Sequence, residues 1–298
     1  MARPSLPPLP DPFPRAFREL LPALLATRGR FDAGRVERLR ARRAVLSQSG
    51  TFVGHRRYVR GDDLRRLDWA AYARTGELFT KQLQEDDRRA VTVALDLSAS
   101  LCCGTPPRRT AAMRLAAVIA GLALARLDGV SIVAPGASNS LVRFAGVAQL
   151  PQLLEHLRGL PIASPPPEAA VASMLAGDAV GRVHWISDFA RPAGFRRPLL
   201  GLRRRGARVT GWLPTVAEDE APPAGGYLRV VDPETFEDLR IPVDAPFHRE
   251  LVRQLTLLAR QQDHLFAEAG SALLRWPAPR DDAPRLRDHL PIVAALAR

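Results

Sequence analysis

The residues best suited to chemistry lie in one short run. Asp96-Leu97-Ser98-Ala99-Ser100 sets a carboxylate and two hydroxyls at alternate positions. Alternate side chains of an extended loop point the same way, so the three oxygens should converge. Hard oxygen donors of this kind suit Mg²⁺ or Mn²⁺, which keep several waters and leave room for a carboxylate from a partner. A second acid, Asp188 in Ser187-Asp188-Phe189, would support the ion from an outer position or through water. Ser164 is the nearest further oxygen donor in a suitable loop, directly before Pro165-Pro166-Pro167. The alternative use of these residues is structural, because Asp and Ser in a strand-to-helix loop cap backbone amides without binding anything.

Both acids end apolar runs. Val91 to Leu95, Val130 to Ala134, Val183 to Ile186 and Val209 to Leu213 read as buried strands. Thr110 to Leu127, Val147 to Leu157, Glu168 to Leu175 and Pro198 to Arg205 are apolar at helical spacing. Such alternation predicts an α/β fold, a doubly wound and mostly parallel sheet with helices on both faces. Ligands of such sheets bind beyond the carboxyl ends of the strands, where Asp96 and Asp188 fall. Leu141 to Phe144 is a short strand candidate, and the tail adds a hairpin (Leu228 to Val231 with Leu239 to Val243) and a helix from Pro246 to Glu268. Upstream, Phe17 to Leu25 and Asp32 to Leu46 read as helices, Ser47 to Gly54 as a loop, Tyr58 to Gly76 as a dense polar stretch and Leu78 to Leu83 as a short amphipathic segment. The expected division is a flexible Pro-rich leader over 1–14, a helical, Arg-rich extension over 15–89, and an α/β domain over 90–298.

The chain of 298 residues is 46% hydrophobic, enough to bury a large core. Its net charge of +12 comes almost wholly from Arg, Lys81 being the only lysine, and Arg28 to Arg66 holds twelve Arg against four acids. That segment motivates a second reading, a basic binder of nucleic acid or of an anionic surface. The absence of interleaved aromatics argues against nucleic acid. No phosphate loop, Gly-x-Ser-x-Gly elbow or His-Glu-x-x-His occurs, and the six His are scattered. We therefore expect a protein that is not an enzyme, with a metal-dependent hydrolase, the ion activating water, as a third reading. The adjacent Cys102 and Cys103 suit neither a disulfide with each other nor a zinc site, and read as small hydrophobes after a strand. With no apolar run of roughly 18 residues and no signal-peptide pattern, the expectation is no membrane span and a cytoplasmic location. The sequence is silent on oligomeric state.

Asp96 to Ser100 with Ser187-Asp188 resembles the metal-ion-dependent adhesion site (MIDAS) of von Willebrand factor A-type domains. A longer signature lies upstream: Arg57-Tyr58, Gly61-Asp62-Asp63, Arg65, Asp68-Trp69 and Ala73-Arg74-Thr75-Gly76. It resembles the bacterial family called domain of unknown function 58, over roughly residues 30–215. The resemblance implies a von Willebrand A-like domain with an N-terminal extension, acting as an adaptor or assembly factor. The implied partners are a MoxR-type AAA+ ATPase and an unknown client protein. The chain departs from the metal-site pattern in having no Thr between Thr110 and Asp188, and in Leu101-Cys102-Cys103, where such proteins often carry Met. In the upstream signature, Gly61 suits a tight turn, Asp62 or Asp63 could cap a helix near Leu64, and Asp68 could pair with Arg65 or Arg74 while Trp69 buries. The whole segment would serve as a structural tie or a docking surface.

Overall fold

The computed structural model describes residues 9–25, 51–59, 67–84, 91–126, 128–134, 141–162, 181–220, 224–233 and 235–278. The chain forms two compact units, Met1–Ala26 with Ala90–Arg298, and Thr27–Arg89. Helix α1 (residues 15–25) belongs to the first. In the second, β1 (Thr51–Arg57) pairs antiparallel with β2 (Phe79–Gln84), and α2 (Trp69–Thr75) lies between them in the chain. The polar stretch thus holds a helix, and a strand begins within the segment expected to be a loop up to Gly54. Asp68 starts α2 by accepting the amides of Ala70 and Ala71, each at 3.0 Å. Gly76 ends it at φ 68°, a left-handed conformation that glycine adopts without steric cost. The expected helices over Asp32 to Leu46 and Glu168 to Leu175 lie outside the described residues.

The larger unit is built on β3 (Val91–Leu95), which is buried along its whole length. Beyond it come α3 (Arg108–Ala125), β4 (Gly129–Val133), β5 (Leu141–Ala145), α4 (Leu150–Arg158), β6 (Arg182–Ile186), α5 (Pro192–Arg204) and β7 (Arg208–Thr215). A one-turn helix α6 (Ala217–Glu220), the hairpin β8 (Gly226–Val231) and β9 (Asp238–Val243), α7 (Ala245–Glu268) and β10 (Ala272–Pro277) complete it. The central sheet has six strands in the order β10-β7-β6-β3-β4-β5, parallel except for β5 against β4. This is the mainly parallel α/β sheet expected from the alternating pattern. The edge strand β10 was not expected: Ala-Leu-Leu-Arg-Trp-Pro lacks the continuous apolar run of a central strand and follows a long helix. Helix α5 starts six residues earlier than expected, with Pro192 in its first turn, where a missing amide costs nothing.

Strand alternation divides the core. Val91, Val93 and Leu95 face one side with α1, α3 and α4, while Ala94, Val183 and Trp185 face the other with α5 and the end of α7. Gly211 in β7 lets α7 close in, since a Cβ there would collide with the Phe266 ring. Every residue of α3 from Arg109 to Leu124 is buried. The outer side of such a helix needs a cover, and the N-terminal segment contributes to it. Phe13, Phe17, Leu21 and Leu24 enter the same core, and Arg114 of α3 donates to the Pro12 carbonyl at 2.9 Å. Pro12 and Phe13 are therefore held against the core rather than in a free leader, and α1 joins the α/β unit rather than the extension. Among the described residues, no helix is long and apolar enough to cross a membrane.

Phe17→Ala should lower unfolding free energy by about 3–5 kcal/mol in urea titration. Arg15→Ala, which loses only an exposed contact with Glu19, should change it by less than about 0.5 kcal/mol. His184, buried in β6, accepts the Trp212 indole N–H at Nδ1 (3.1 Å), and burial, aided by the Arg182 charge, holds its pKa down to about 4. A base depressed in the fold keeps its full contribution above the unfolded value near 6.5 and loses it as pH falls toward 4. Stability measured between those pH values should drop by something on the order of 3 kcal/mol from this group, and His184→Gln should flatten the drop.

Candidate functional site

Parallel register brings the two acidic loops together. Leu95 of β3 pairs with Ile186 of β6, and Ile186 with Trp212 of β7, so Asp96 and Ser187 leave the sheet at the same level. The Asp96 amide donates to the Ile186 carbonyl at 2.9 Å, and the Ser187 amide to the Trp212 carbonyl at 3.1 Å. The strand ladder thus continues one residue into the loops and fixes where the side chains start.

Asp96 is only 5% exposed. Its Oδ1 accepts the Ser98 amide at 2.8 Å and its Oδ2 the Ser187 hydroxyl at 2.7 Å. Ser98 and Ser100 join through their hydroxyls at 2.9 Å, and the Ser100 hydroxyl donates to Asp188 Oδ2 at 2.8 Å. Asp96, Ser98, Ser100 and Asp188 therefore form one connected cluster of oxygens at the carboxyl end of the sheet. Ser164 lies outside the described residues. Burial pushes the Asp96 carboxyl above the usual carboxylate range against the pull of the Ser187 and Ser98 hydrogen bonds, and the like charge of Asp188 pushes it further.

The Asp188 loop is held from two directions. Phe189 adopts φ 47°, unusual for a bulky residue, but its ring is fully buried against Phe195 and Phe266, with centroids 4.9 and 5.0 Å away. The Ser187 hydroxyl accepts the Phe189 amide at 3.1 Å, and Asp188 Oδ1 that of Ala190 at 3.0 Å. From α7, buried Gln262 donates to the carbonyls of Asp188 (3.0 Å) and Phe189 (3.2 Å). Sequence reasoning gave no role to Ser187 or Gln262. Ser187 could have been noticed as the residue in register with Asp96, whereas a lone Gln on an amphipathic helix carries no signal.

The donor set fits a hard dication in kind: two carboxylates and several hydroxyls, with a buried negative charge whose described partners are neutral. No three His, Cys, Asp or Glu side chains gather in one place among the described residues, so hydroxyls, water or a partner would supply the remaining ligands. Cys102 is buried and Cys103 exposed, both as free thiols. Burial raises the Cys103 thiol; Arg108 opposes that rise, and Asp188 and Asp232 add to it.

The upstream signature residues that are described lie in the smaller unit. Asp68 Oδ2 meets His55 Nε2 at 2.7 Å, a contact the sequence did not suggest, and Arg65 lies outside the described residues. Trp69 is 64% exposed, stacked edge-on against Tyr72, instead of buried. It occupies the first position of a short helix whose buried residue is Ala71, which leaves the indole on the outer face. Arg57 grips Glu77 with one nitrogen at 3.0 and 3.1 Å, the Tyr58 amide donates to the Leu78 carbonyl, and Arg74 sits exposed in the last turn of α2. Gly61, Asp62 and Asp63 lie outside the described residues.

A parallel α/β sheet with acidic and hydroxyl side chains gathered at its carboxyl end defines the class. The chain belongs to the family described as Protein of unknown function DUF58, whose pattern matches residues 54–262. Relatives include the uncharacterized proteins Rv1480 of Mycobacterium tuberculosis and Mb1516 of Mycobacterium bovis, each 32% identical over 175 aligned residues. The match covers 50% of this chain and 50% of theirs, so the chain spans about half the length of these relatives. Among solved structures, the conserved hypothetical protein BatB of Bacteroides thetaiotaomicron aligns with a TM-score of 0.41 and 13% identity, over 70% of this chain and 98% of that one. An aerotolerance-related membrane protein of Bacteroides fragilis aligns at 0.35 and 16%, over 65% and 92%.

Removing the buried charge should stabilise the protein. A carboxyl whose pKa is raised by folding costs stability as pH climbs from the unfolded value through the folded one, and the full cost persists above it. At pH 7.5 with chelator present, Asp96→Asn should unfold at higher temperature than wild type, by the equivalent of about 0.5–2 kcal/mol. At pH 3 the difference should vanish.

Proposed function

We propose that the protein is a non-catalytic, cytoplasmic interaction module of von Willebrand A-like type, an adaptor or assembly factor that captures its partner through a divalent cation. The observation that supports this reading is the oxygen cluster joining Asp96, Ser98, Ser100 and Asp188 where two strands of a parallel sheet end. Asp96, Ser98 and Ser100 would hold Mg²⁺ or Mn²⁺, with Asp188 acting through water. The ion, when bound, supplies an open position for an acidic side chain of the partner. Ser187 and Gln262 would keep the two loops in register so that little ordering is left to be done on binding. The family resemblance suggests a MoxR-type AAA+ ATPase or its client as that partner.

Calorimetric titration with Mg²⁺ and Mn²⁺ should give saturable binding to the wild type and none to Asp96→Ala or Ser98→Ala. Binding should weaken as pH falls, since protons compete for a carboxyl whose pKa burial has raised. Capture of the ATPase should require the metal and disappear in an Asp96→Ala, Asp188→Ala double variant. Capture unchanged in that variant would sink the reading.

A further inference from the structure

A second feature of the larger unit shares no residue with the oxygen cluster. Residues 9–12, the start of α3 and the end of α4 with the turn after it line an open pocket of about 520 Å³. Its walls are mainly apolar, with Leu9, Pro12, Met113, Leu157 and Leu160 among them, and two arginines, Arg109 and Arg158, line it. Arg158 is matched by Asp11 at 3.2 Å and by Glu155. Arg109 is different. It is 7% exposed, and one terminal nitrogen donates to the carbonyls of Leu160 (2.6 Å) and Pro161 (3.2 Å). The other, Nη1, is buried with no hydrogen-bond partner among the described residues. A buried guanidinium that meets only neutral carbonyls and leaves a donor unused is costly, and calls for an explanation.

The geometry points to a ligand site in which this pocket takes a small organic carboxylate with an apolar body, its head beside Arg109 and its chain against Leu157, Leu160 and Met113. A pocket of a few hundred Å³ with apolar walls and few polar groups is the usual form of a small-molecule site. The charge to be matched is a single positive one, and Nη2 is already taken by the two carbonyls. That suits a monocarboxylate better than a phosphate dianion, which needs more donors. Nη1 is closed off from water, so the head must displace part of the wall to reach it. Met113 stands one helical turn from Arg109 on the same face of α3, and its unbranched side chain is the wall element suited to move.

The test uses the full chain with octanoate and its uncharged match, octanamide, in calorimetric titrations. Octanoate should bind saturably and at least about ten-fold more tightly than octanamide, and Arg109→Met should abolish the preference. Because Arg109 also secures the turn after α4, that variant could fail to fold. Ile162→Trp at the exposed rim leaves Arg109 in place, narrows the pocket, and should weaken octanoate binding by at least about ten-fold. Equal binding of the two compounds, no octanoate binding at millimolar concentration, or unchanged affinity in Ile162→Trp would overturn the proposal and leave Arg109 as a purely structural anchor.

Discussion

A carboxylate removed almost wholly from water must be met by donors on every side, and Asp96 imposes that requirement on the carboxyl end of the sheet. One oxygen takes the Ser98 amide and so bends the chain after β3. The other takes the Ser187 hydroxyl and so ties β3 to β6 beyond their last paired residues. Ser187 is fully buried, and its hydroxyl also receives the Phe189 amide, which brings Phe189 into the left-handed region. That conformation costs energy that the Phe195 and Phe266 rings offset by packing around it. Gln262 then links the same loop to α7. The geometry of the cluster is therefore inherited from the sheet register and from both cores.

The same logic of burial explains the unit boundary. An α-helix that covers a sheet on one side normally keeps a polar outer face. α3 has almost none, since Ala, Leu, Val and Ile run around its circumference and Arg109 to Leu124 are all buried. Its outer surface must be covered by other chain, and α1 and α4 are the elements that join it in one core. The cost of burying Arg114 there is reduced by its bond to the Pro12 carbonyl and by the Phe17 ring, 5.9 Å from its guanidinium carbon.

These facts bear on what the sequence could reveal. Val91 to Leu95 and Val183 to Ile186 were legible as strands because burial on both faces demands continuous apolar runs. Ser98 and Ser100 meet, but not by alternation along an extended loop: Ala99–Cys102 is a 3₁₀ turn, so Ser100 lies in a helical segment that Ser98 precedes. The strand β10 was not legible, since an edge strand with Arg275 among its residues looks like any mixed segment. Nor was the exposure of Trp69, because the hydrophobicity of an indole says nothing about which side of a seven-residue helix it occupies. Phe17 to Leu25 was legible as a helix, but the Pro-rich composition before it concealed that Phe13 extends the Phe17-Leu21-Leu24 stripe into the core.

Asp68 and Asp96 show how one local device serves different ends. Each accepts a backbone amide two residues ahead with one oxygen, as Asp does at a helix start or tight turn. The difference lies in the other oxygen. That of Asp68 meets His55 at 2.7 Å, a group able to carry positive charge. That of Asp96 meets the neutral Ser187 hydroxyl, while the like-signed Asp188 adds repulsion. Hydrogen bonds satisfy the geometry of a carboxylate but do not cancel its charge, and at low dielectric the charge dominates. Asp68 thus meets a basic ring within its own unit, whereas Asp96 meets only neutral donors among the described residues and would gain from an external cation. On this physical ground, and not on motif likeness alone, Asp96 is the acid to which the proposed metal is assigned.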